Sequence, residues 1–292
     1  MTVFYSVLAG ICNKMGKYKI TRMFYGLLSS LRFIHFGQFI FHIWFKSHPT
    51  PKMIEEKKFF SEHAQELKEA YDCLEDEHSK LVYENILKFR ATSDWKYLKA
   101  ARDTDGLKSQ YFVPELQFSA HEIIVDCGAF NGDTAKRFYA EIPGCIVICL
   151  EPDDKNYQKL VKLGLNGMKA YQYGAWSQDT VLSFSDEGGG TSSGAVTNSG
   201  NIQIEARALD HLPECQSATY IKMDIEGAEL EALKGAENII KNNKPKLAIC
   251  LYHQPQDFFE IPLYIKTLNP DYKIYIHHHN VYCAMETVLY AI

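Results

Sequence analysis

Asp126, Glu151, Asp224 and His253 each stand at the end of a short apolar run, and these four are the residues best placed to do chemistry in this 292-residue chain. Ile123 to Val125 runs into Asp126, Cys145 to Leu150 into Glu151, Thr219 to Met223 into Asp224, and Leu247 to Leu251 into Tyr252 and His253. One strand-end acid is ordinarily a loop cap. Four aligned ends point to a site, because open α/β sheets bind their ligands beyond the carboxyl ends of the strands. Asp126 is followed by Gly128 and Gly132, spaced four apart, and then by Asp133 and Thr134, either of which can cap a helix continuing through Ala140. Strand, glycine turn and helix N-terminus together make a cradle for an anionic or carboxylate-bearing ligand.

The elements that must hold these residues alternate along the chain. Apolar runs of strand length are separated by amphipathic stretches, which predicts a doubly wound, mostly parallel Rossmann-like α/β sheet whose terminal strand is antiparallel, preceded by an α-helical N-terminal region. Ser61 to Leu74 carries one apolar helical face, Ser79 is placed to cap a second helix bearing Val82, Tyr83, Ile86 and Leu87, and Asp94 to Ala101 makes a third. Beyond Glu151 a helix is expected over Asn156 to Leu163, a strand over Met168 to Tyr173, and a single helix over Glu229 to Asn242. Val181 to Phe184 and Ile202 to Ala206 read as extended, joined by the glycine run Gly188 to Gly194. With no lysine beside it, that run suits a flap better than a phosphate cradle. His277, His278 and His279 read as a polar loop before the last strand, with His279 reaching the acceptor, and Tyr111 and Phe112 as a lid or as core.

Composition narrows the function classes. The net charge of -5 divides unevenly: no Asp or Glu precedes Glu55, while seven Lys and Arg do, so the remainder carries -12. So acidic a body excludes a general nucleic-acid binder, which needs a basic footprint. The basic first 48 residues are rich in aromatics (Phe24, Phe33, Phe36, Phe39, Trp44), interrupted by polar residues. They suit an interfacial helix at a membrane surface or a cap packed on the main domain better than a spanning helix. Eight scattered cysteines without a CxxC pair give no basis for a disulfide framework or zinc site and fit a reducing compartment. A cytoplasmic location, with residues 1–48 able to touch the inner face of the membrane, is the expectation. Three regions follow: 1–48, basic and aromatic; 49–118, a helical cap; and 119–292, the cofactor domain.

The glycine spacing selects the cofactor. Nicotinamide and flavin folds use G-x-G-x-x-G against a pyrophosphate, whereas D-x-G-x-x-x-G here carries an acid in the loop, which repels a pyrophosphate but accepts hydrogen bonds from an ammonium group. S-adenosylmethionine offers that ammonium, a carboxylate for the helix N-terminus and a ribose for Glu151. The set Val-Asp-Cys-Gly-Ala-Phe-Asn-Gly-Asp-Thr (125–134), Leu-Glu-Pro-Asp (150–153), Gly-Ala-Trp-Ser (174–177), Ala-Leu-Asp-His-Leu (208–212) and Ile-Lys-Met-Asp-Ile-Glu-Gly-Ala-Glu (221–229) resembles the FkbM family of S-adenosylmethionine-dependent methyltransferases. The resemblance covers about residues 109–292 and leaves 1–60 unsupported. It implies a class I methyltransferase sheet and O-methylation of a hydroxyl on a sugar, glycan or related metabolite. By position it implies Asp126, Gly128, Asn131, Gly132 and Thr134 at the methionine end, Glu151 at the ribose, and Gly174, Ala175 and Trp176 at the adenine edge.

A hydroxyl acceptor is a weak acid and calls for a positioned base. Asp224 or His253 is expected to provide it, with Glu226 and Glu229 organising the turn or the acceptor. Two carboxylates and a histidine also suit a divalent ion that polarises the acceptor, although metal-free transfer is favoured. Two rival readings remain: a non-catalytic methyltransferase-fold scaffold in a glycan-assembly complex, and a nicotinamide-dependent sugar oxidoreductase, the latter weakened by the missing third glycine.

Overall fold

The computed structural model describes residues 50–185, 195–196, 202–280 and 283–292; the basic aromatic segment 1–48 and the run Gly188 to Gly194 lie outside them. Its strands, in chain order, are β1 (Ile123–Cys127), β2 (Ile146–Leu150), β3 (Lys169–Tyr171), β4 (Gly174–Ala175), β5 (Thr180–Ser185), β6 (Ala195–Val196), β7 (Ile202–Arg207), β8 (Tyr220–Met223), β9 (Lys246–Cys250), β10 (Ile274–His278) and β11 (Thr287–Ala291). Seven of them form one sheet in the order β10-β11-β9-β8-β1-β2-β3. β1 pairs in parallel with β2 and β8, β8 with β9, and β2 with β3, while β11 is antiparallel to both β9 and β10. The doubly wound sheet with an antiparallel terminal strand is therefore present. A second, four-stranded sheet, β4-β7-β5-β6, carries the extended pair expected around the glycine run.

The strands read as continuous apolar runs because both faces of the sheet are covered. Val125, Cys127, Ile148, Leu150, Ile221 and Ile249 face one core cluster, and Ile124, Val147, Cys149, Tyr220, Ala248 and Cys250 face the other, alternating as the pleat requires. The second cluster holds Phe138 from α5 (Asp133–Glu141) and Leu160 from α6 (Asp154–Val161).

The first cluster takes in the helical region, α1 (Pro51–Glu62), α2 (Ala64–Asp72), α3 (Glu77–Thr92) and α4 (Trp95–Ala101), so that these helices share the core of the sheet. Leu67, Ala70, Val82, Tyr83 and Ile86 are buried there with Phe258, Ile261 and Ile265 of α9 (Asp257–Leu268), and the Tyr83 hydroxyl donates to the Phe258 carbonyl at 3.0 Å. Asp76, not Ser79, caps α3: its Oδ1 accepts from the Ser79 N–H at 2.7 Å. The Ser79 hydroxyl instead accepts from Ile276 N, fastening α3 to β10.

The helix expected over Glu229 to Asn242 is two, α7 (Glu229–Lys234) and α8 (Glu237–Asn243). The break falls at Gly235, where a Cβ would lie 1.9 Å from the Trp176 carbonyl oxygen, and the Gly235 carbonyl accepts from Asp210 N. Asp210 then serves α8, its carboxylate accepting from the N–H groups of Asn238 and Ile239 at 2.9 and 3.0 Å. The Ala-Leu-Asp-His-Leu motif thus contributes a helix anchor. Among the described residues no helix is long and apolar enough to cross a membrane.

Candidate active site

β1 and β8 lie side by side with Asp126 opposite Lys222. Both side chains are almost wholly inaccessible, and Lys222 Nζ stands 2.9 Å from Asp126 Oδ1, 2.9 Å from the Gly128 carbonyl oxygen and 3.3 Å from that of Cys127. Burial works against the ammonium, but Asp126 and Asp224 outweigh it and hold the Lys222 pKa above its ordinary value. The ammonium nearest Asp126 is thus supplied by the chain. Sequence reading passed over Lys222, although a lysine inside a strand buried at every position is a visible anomaly. Gly128, at φ +76°, lets the β1 turn touch the end of β8: a Cβ there would lie 2.1 Å from the Asp224 carbonyl oxygen.

The turn continues into α5, and neither Asp133 nor Thr134 caps it. Gly132, at φ +82°, occupies the cap position without a side-chain bond, packed where a Cβ would strike Leu163, and Asn131 Oδ1 accepts from Asp133 N at 3.1 Å. Apart from that bond to Asp133 N, the cap residue places no side chain on the N–H groups of the first turn of α5. Glu151, beyond β2, accepts from Phe130 N at 2.8 Å and from Asp153 N at 3.0 Å, which draws the β1 and β2 turns together. Burial pushes its carboxyl up to about 7 against those two bonds. Tyr171 pairs with Leu150, and three residues later Gly174 and Ala175 run along β7, beyond which Trp176 N donates to the Arg207 carbonyl at 3.0 Å.

Asp224, Glu226, Glu229 and His253 meet at the ends of β8 and β9. His253 Nδ1 lies 2.9 Å from Glu229 Oε1, and its Nε2 lies 3.5 Å from Asp224 Oδ1 and 3.6 Å from Glu226 Oε2. Glu229 is fully buried and also accepts from Ile225 N at 2.8 Å and Gly227 N at 3.0 Å, so it builds the turn and orients the imidazole at once. Burial opposes a charge on His253, but Glu229, Asp224 and Glu226 together lift it to about 9. Asp224 accepts from the hydroxyls of Tyr111 (3.1 Å) and Tyr252 (2.8 Å). Burial alone would raise its carboxyl, yet Lys222, His253 and the two phenols hold it below the ordinary range.

Tyr111 therefore braces Asp224 from within the core, and Tyr252 joins it as a residue that sequence reading left without a role. Glu286, just before β11, is a third addition: burial raises its pKa first and Asp224 second, so it faces the same cluster, and it accepts from Gln110. Tyr111, Phe130, Glu226 and Glu286 all have left-handed backbone (φ +67°, +50°, +57° and +66°). Such conformations cost energy in side-chain-bearing residues and concentrate where geometry serves a site.

The histidine triplet departs from expectation. His277 and His278 belong to β10, and His279 is buried, with Nε2 2.9 Å from the Tyr290 hydroxyl and Nδ1 3.2 Å from the Gly106 carbonyl oxygen. His279 is held inside the fold and does not reach toward an acceptor. Asp224, Glu229 and His253 also bring three donor atoms within 4.8 Å of one another, close enough to surround a divalent ion. Since Glu229 is engaged by two backbone N–H groups and by His253, an ion would have to displace the contact that orients the imidazole.

Residues 126–279, just over half of the chain, match the methyltransferase FkbM domain. Among solved structures, methyltransferase FkbM from Methylobacillus flagellatus KT aligns with a TM-score of 0.69 at 27% identity, over 80% of this chain and 60% of that one. The chain thus spans about 60% of the length of that relative. More distant likenesses are fibrillarin from Aeropyrum pernix with natively bound S-adenosyl-L-methionine (TM-score 0.40, 11% identity, 64% of this chain and 74% of that one) and precorrin-6y C5,15-methyltransferase from Geobacter metallireducens GS-15 (0.37, 11%, 61% and 81%). Among curated proteins nothing matches. With the family's domain matched across the β1 turn, the β8 end and the His253 loop, the chain belongs to the FkbM methyltransferase family.

Proposed function

We propose that the protein is an S-adenosylmethionine-dependent O-methyltransferase whose acceptor is a hydroxyl on a sugar, glycan or related small molecule. The observation that carries this reading is His253, held at Nδ1 by Glu229, with Nε2 directed between Asp224 and Glu226 beside the Gly128 turn.

The residues suit the cofactor. Beyond Asp133 N, which Asn131 already holds, the first turn of α5 offers N–H groups to a carboxylate, with Thr134 at its rim. Asp126 is buried and neutralised by Lys222, so its part is to pair with the lysine that holds the Cys127 and Gly128 carbonyls of the cofactor turn. Glu151 retains lone pairs for a ribose diol, and Ala175 and Trp176 lie where the resemblance implies the adenine edge. S-adenosylmethionine supplies an electrophilic methyl group on a sulfonium and leaves as a neutral thioether.

The chain's own part is alignment and proton removal. His253 Nε2 takes the proton of the acceptor hydroxyl as its oxygen bonds to the methyl carbon. Glu229 keeps the proton on Nδ1 and stabilises the imidazolium that results. Asp224, fixed by Tyr111 and Tyr252, and Glu226 orient the hydroxyl toward Nε2. No metal is required in this scheme, and activity is expected to survive EDTA.

The family assignment favours methyl transfer over hydride transfer. The test is calorimetric titration with S-adenosylmethionine, followed by incubation with the methyl-labelled cofactor and a panel of sugars and glycans. His253→Ala and Asp224→Asn are expected to bind the cofactor as the wild type does while losing labelled product. Absence of cofactor binding in the wild type, or unchanged kcat in both variants, would overturn the reading.

A further inference from the structure

A second cluster of titratable side chains shares no residue with the transfer site. His78 on α3, Asp103 in the segment after α4, and His277 on β10 bring three donor atoms within 4.8 Å of one another. Asp103 sits between the two imidazoles: Oδ1 is 2.9 Å from His78 Nε2, and Oδ2 is 2.9 Å from His277 Nδ1. We propose that His78, Asp103 and His277 form a divalent transition-metal site of the zinc type, separate from the transfer chemistry, that clamps the helical region to the edge strand of the sheet.

Three features carry this. The donor set, two imidazoles and one carboxylate, is one that Zn²⁺ takes with water in its remaining position, and His78, with 46% of its side chain exposed, leaves that position open. The second feature is His277, whose side chain is 10% exposed and whose ring nitrogens both face carboxylates, Nδ1 toward Asp103 and Nε2 toward Glu115 Oε2 at 3.6 Å. Nε2 and Glu115 Oε2 are both buried without a hydrogen-bond partner. A neutral imidazole has one N–H and cannot serve two carboxylates. A metal ion at Nδ1, in the place a second ring proton would otherwise take, satisfies both: the ring presents its lone pair to the ion and its Nε2–H to Glu115, as metal-bound histidines commonly do with an outer carboxylate.

The third feature is that the neighbouring histidine does not compete. His279 Nδ1 lies 3.6 Å from Asp103 Oδ2 but nearer, at 3.2 Å, to the Gly106 carbonyl, which can only accept, and Nε2 faces the Tyr290 hydroxyl, so both ring nitrogens are already used. Asp103 N also donates to the His278 carbonyl at 2.9 Å, so the ligand-bearing segment is already laid along β10. The same segment leads to Tyr111, whose backbone N–H donates to the Tyr290 hydroxyl and whose own hydroxyl holds Asp224.

The experiment is titration of the full, EDTA-stripped chain with Zn²⁺, read by calorimetry and thermal unfolding, with Co²⁺ as a spectroscopic probe. Wild type is expected to bind Zn²⁺ with a rise in Tm and to show a Co²⁺ d–d band. His78→Ala, at an exposed position that leaves folding intact, loses one equivalent, the Tm rise and the band. His253→Gln keeps all three, which separates this site from the Asp224, Glu229 and His253 set. Glu115→Gln weakens affinity by about 10- to 100-fold. Zn²⁺ binding equal in wild type and His78→Ala, or no stabilisation of the wild type by Zn²⁺, would overturn the proposal and leave a hydrogen-bonded histidine–aspartate cluster.

Discussion

Glu229 Oε1 lies 2.9 Å from His253 Nδ1, and the same carboxylate closes the turn after β8 through Ile225 N and Gly227 N. One buried group thereby shapes the loop that carries Glu226 and places its charge beside the imidazole on the neighbouring strand end. Replacing the carboxylate by an amide keeps the shape and removes the charge. Glu229→Gln is therefore expected to lower kcat by about 10²-fold or more, on the scale of a lost general base, with the cofactor Kd changed little. Steady-state kinetics beside calorimetry checks this; a rise in KM with kcat unchanged would count against an orienting role.

The raised pKa of His253 predicts a pH dependence. With the folded-state value at about 9, the neutral ring is scarce at pH 7, so kcat/KM should climb about tenfold per pH unit toward pH 9 and then level off. In Glu229→Gln the ascending limb should move to lower pH. A profile flat from pH 7 to the plateau would instead assign proton removal to Asp224, whose pKa is held low. The same shift bears on stability. A pKa raised from 6.5 to about 9 on folding adds stability that is fully present below 6.5 and lost as pH rises through 9. Denaturant midpoints of wild type and His253→Ala should therefore converge above that pH.

Arg90 joins the helical region to the site. It lies in a buried two-bond pair with Glu56 (2.7 and 3.0 Å), and its Nη1 donates to the Tyr252 carbonyl at 3.2 Å. Arg90→Ala leaves the buried Glu56 with only exposed Lys52, at 3.8 Å, as a counter-charge, so a loss of about 3 kcal/mol in urea unfolding is expected. The double change Arg90→Met with Glu56→Leu should restore much of that stability while turnover stays impaired, because Tyr252 and His253 keep no anchor from α3.

At Gly128 the constraint is steric. The φ of +76° disfavours any side chain, and a Cβ would fall 2.1 Å from the Asp224 carbonyl oxygen. Gly128→Ala must part the β1 and β8 turns, at a strain cost on the order of 1–3 kcal/mol, and move Lys222 away from the Gly128 carbonyl. Cofactor binding and turnover should both fall, and a crystal structure of the variant should show the two turns displaced. Retention of both activities would mean that the close approach is dispensable.

The sheet was legible in the sequence because its strands are buried on both faces and so appear as unbroken apolar runs, each stopped by a polar residue where the chain leaves the sheet. Asp126, Glu151, Asp224 and His253 stood out for that reason. Local pattern was weaker where a side chain's partner lies far along the chain. The Gly235 break answers to Trp176, the Ser79 hydroxyl to Ile276, and His279 to Tyr290 and Gly106. Each was read locally as continuous helix, cap or loop.

Lys222 and Tyr111 show the same division at the site. By itself the sequence determined the alternating framework, the four strand-end groups and the family motif, all of which are properties of contiguous residues. Only the tertiary structure decided that Lys222 neutralises Asp126, that Tyr111 and Tyr252 hold Asp224, and that Glu229 rather than Glu226 orients His253. Those pairings arise because the sheet brings its strand ends together, and burial there makes every charge depend on the partner that the fold supplies.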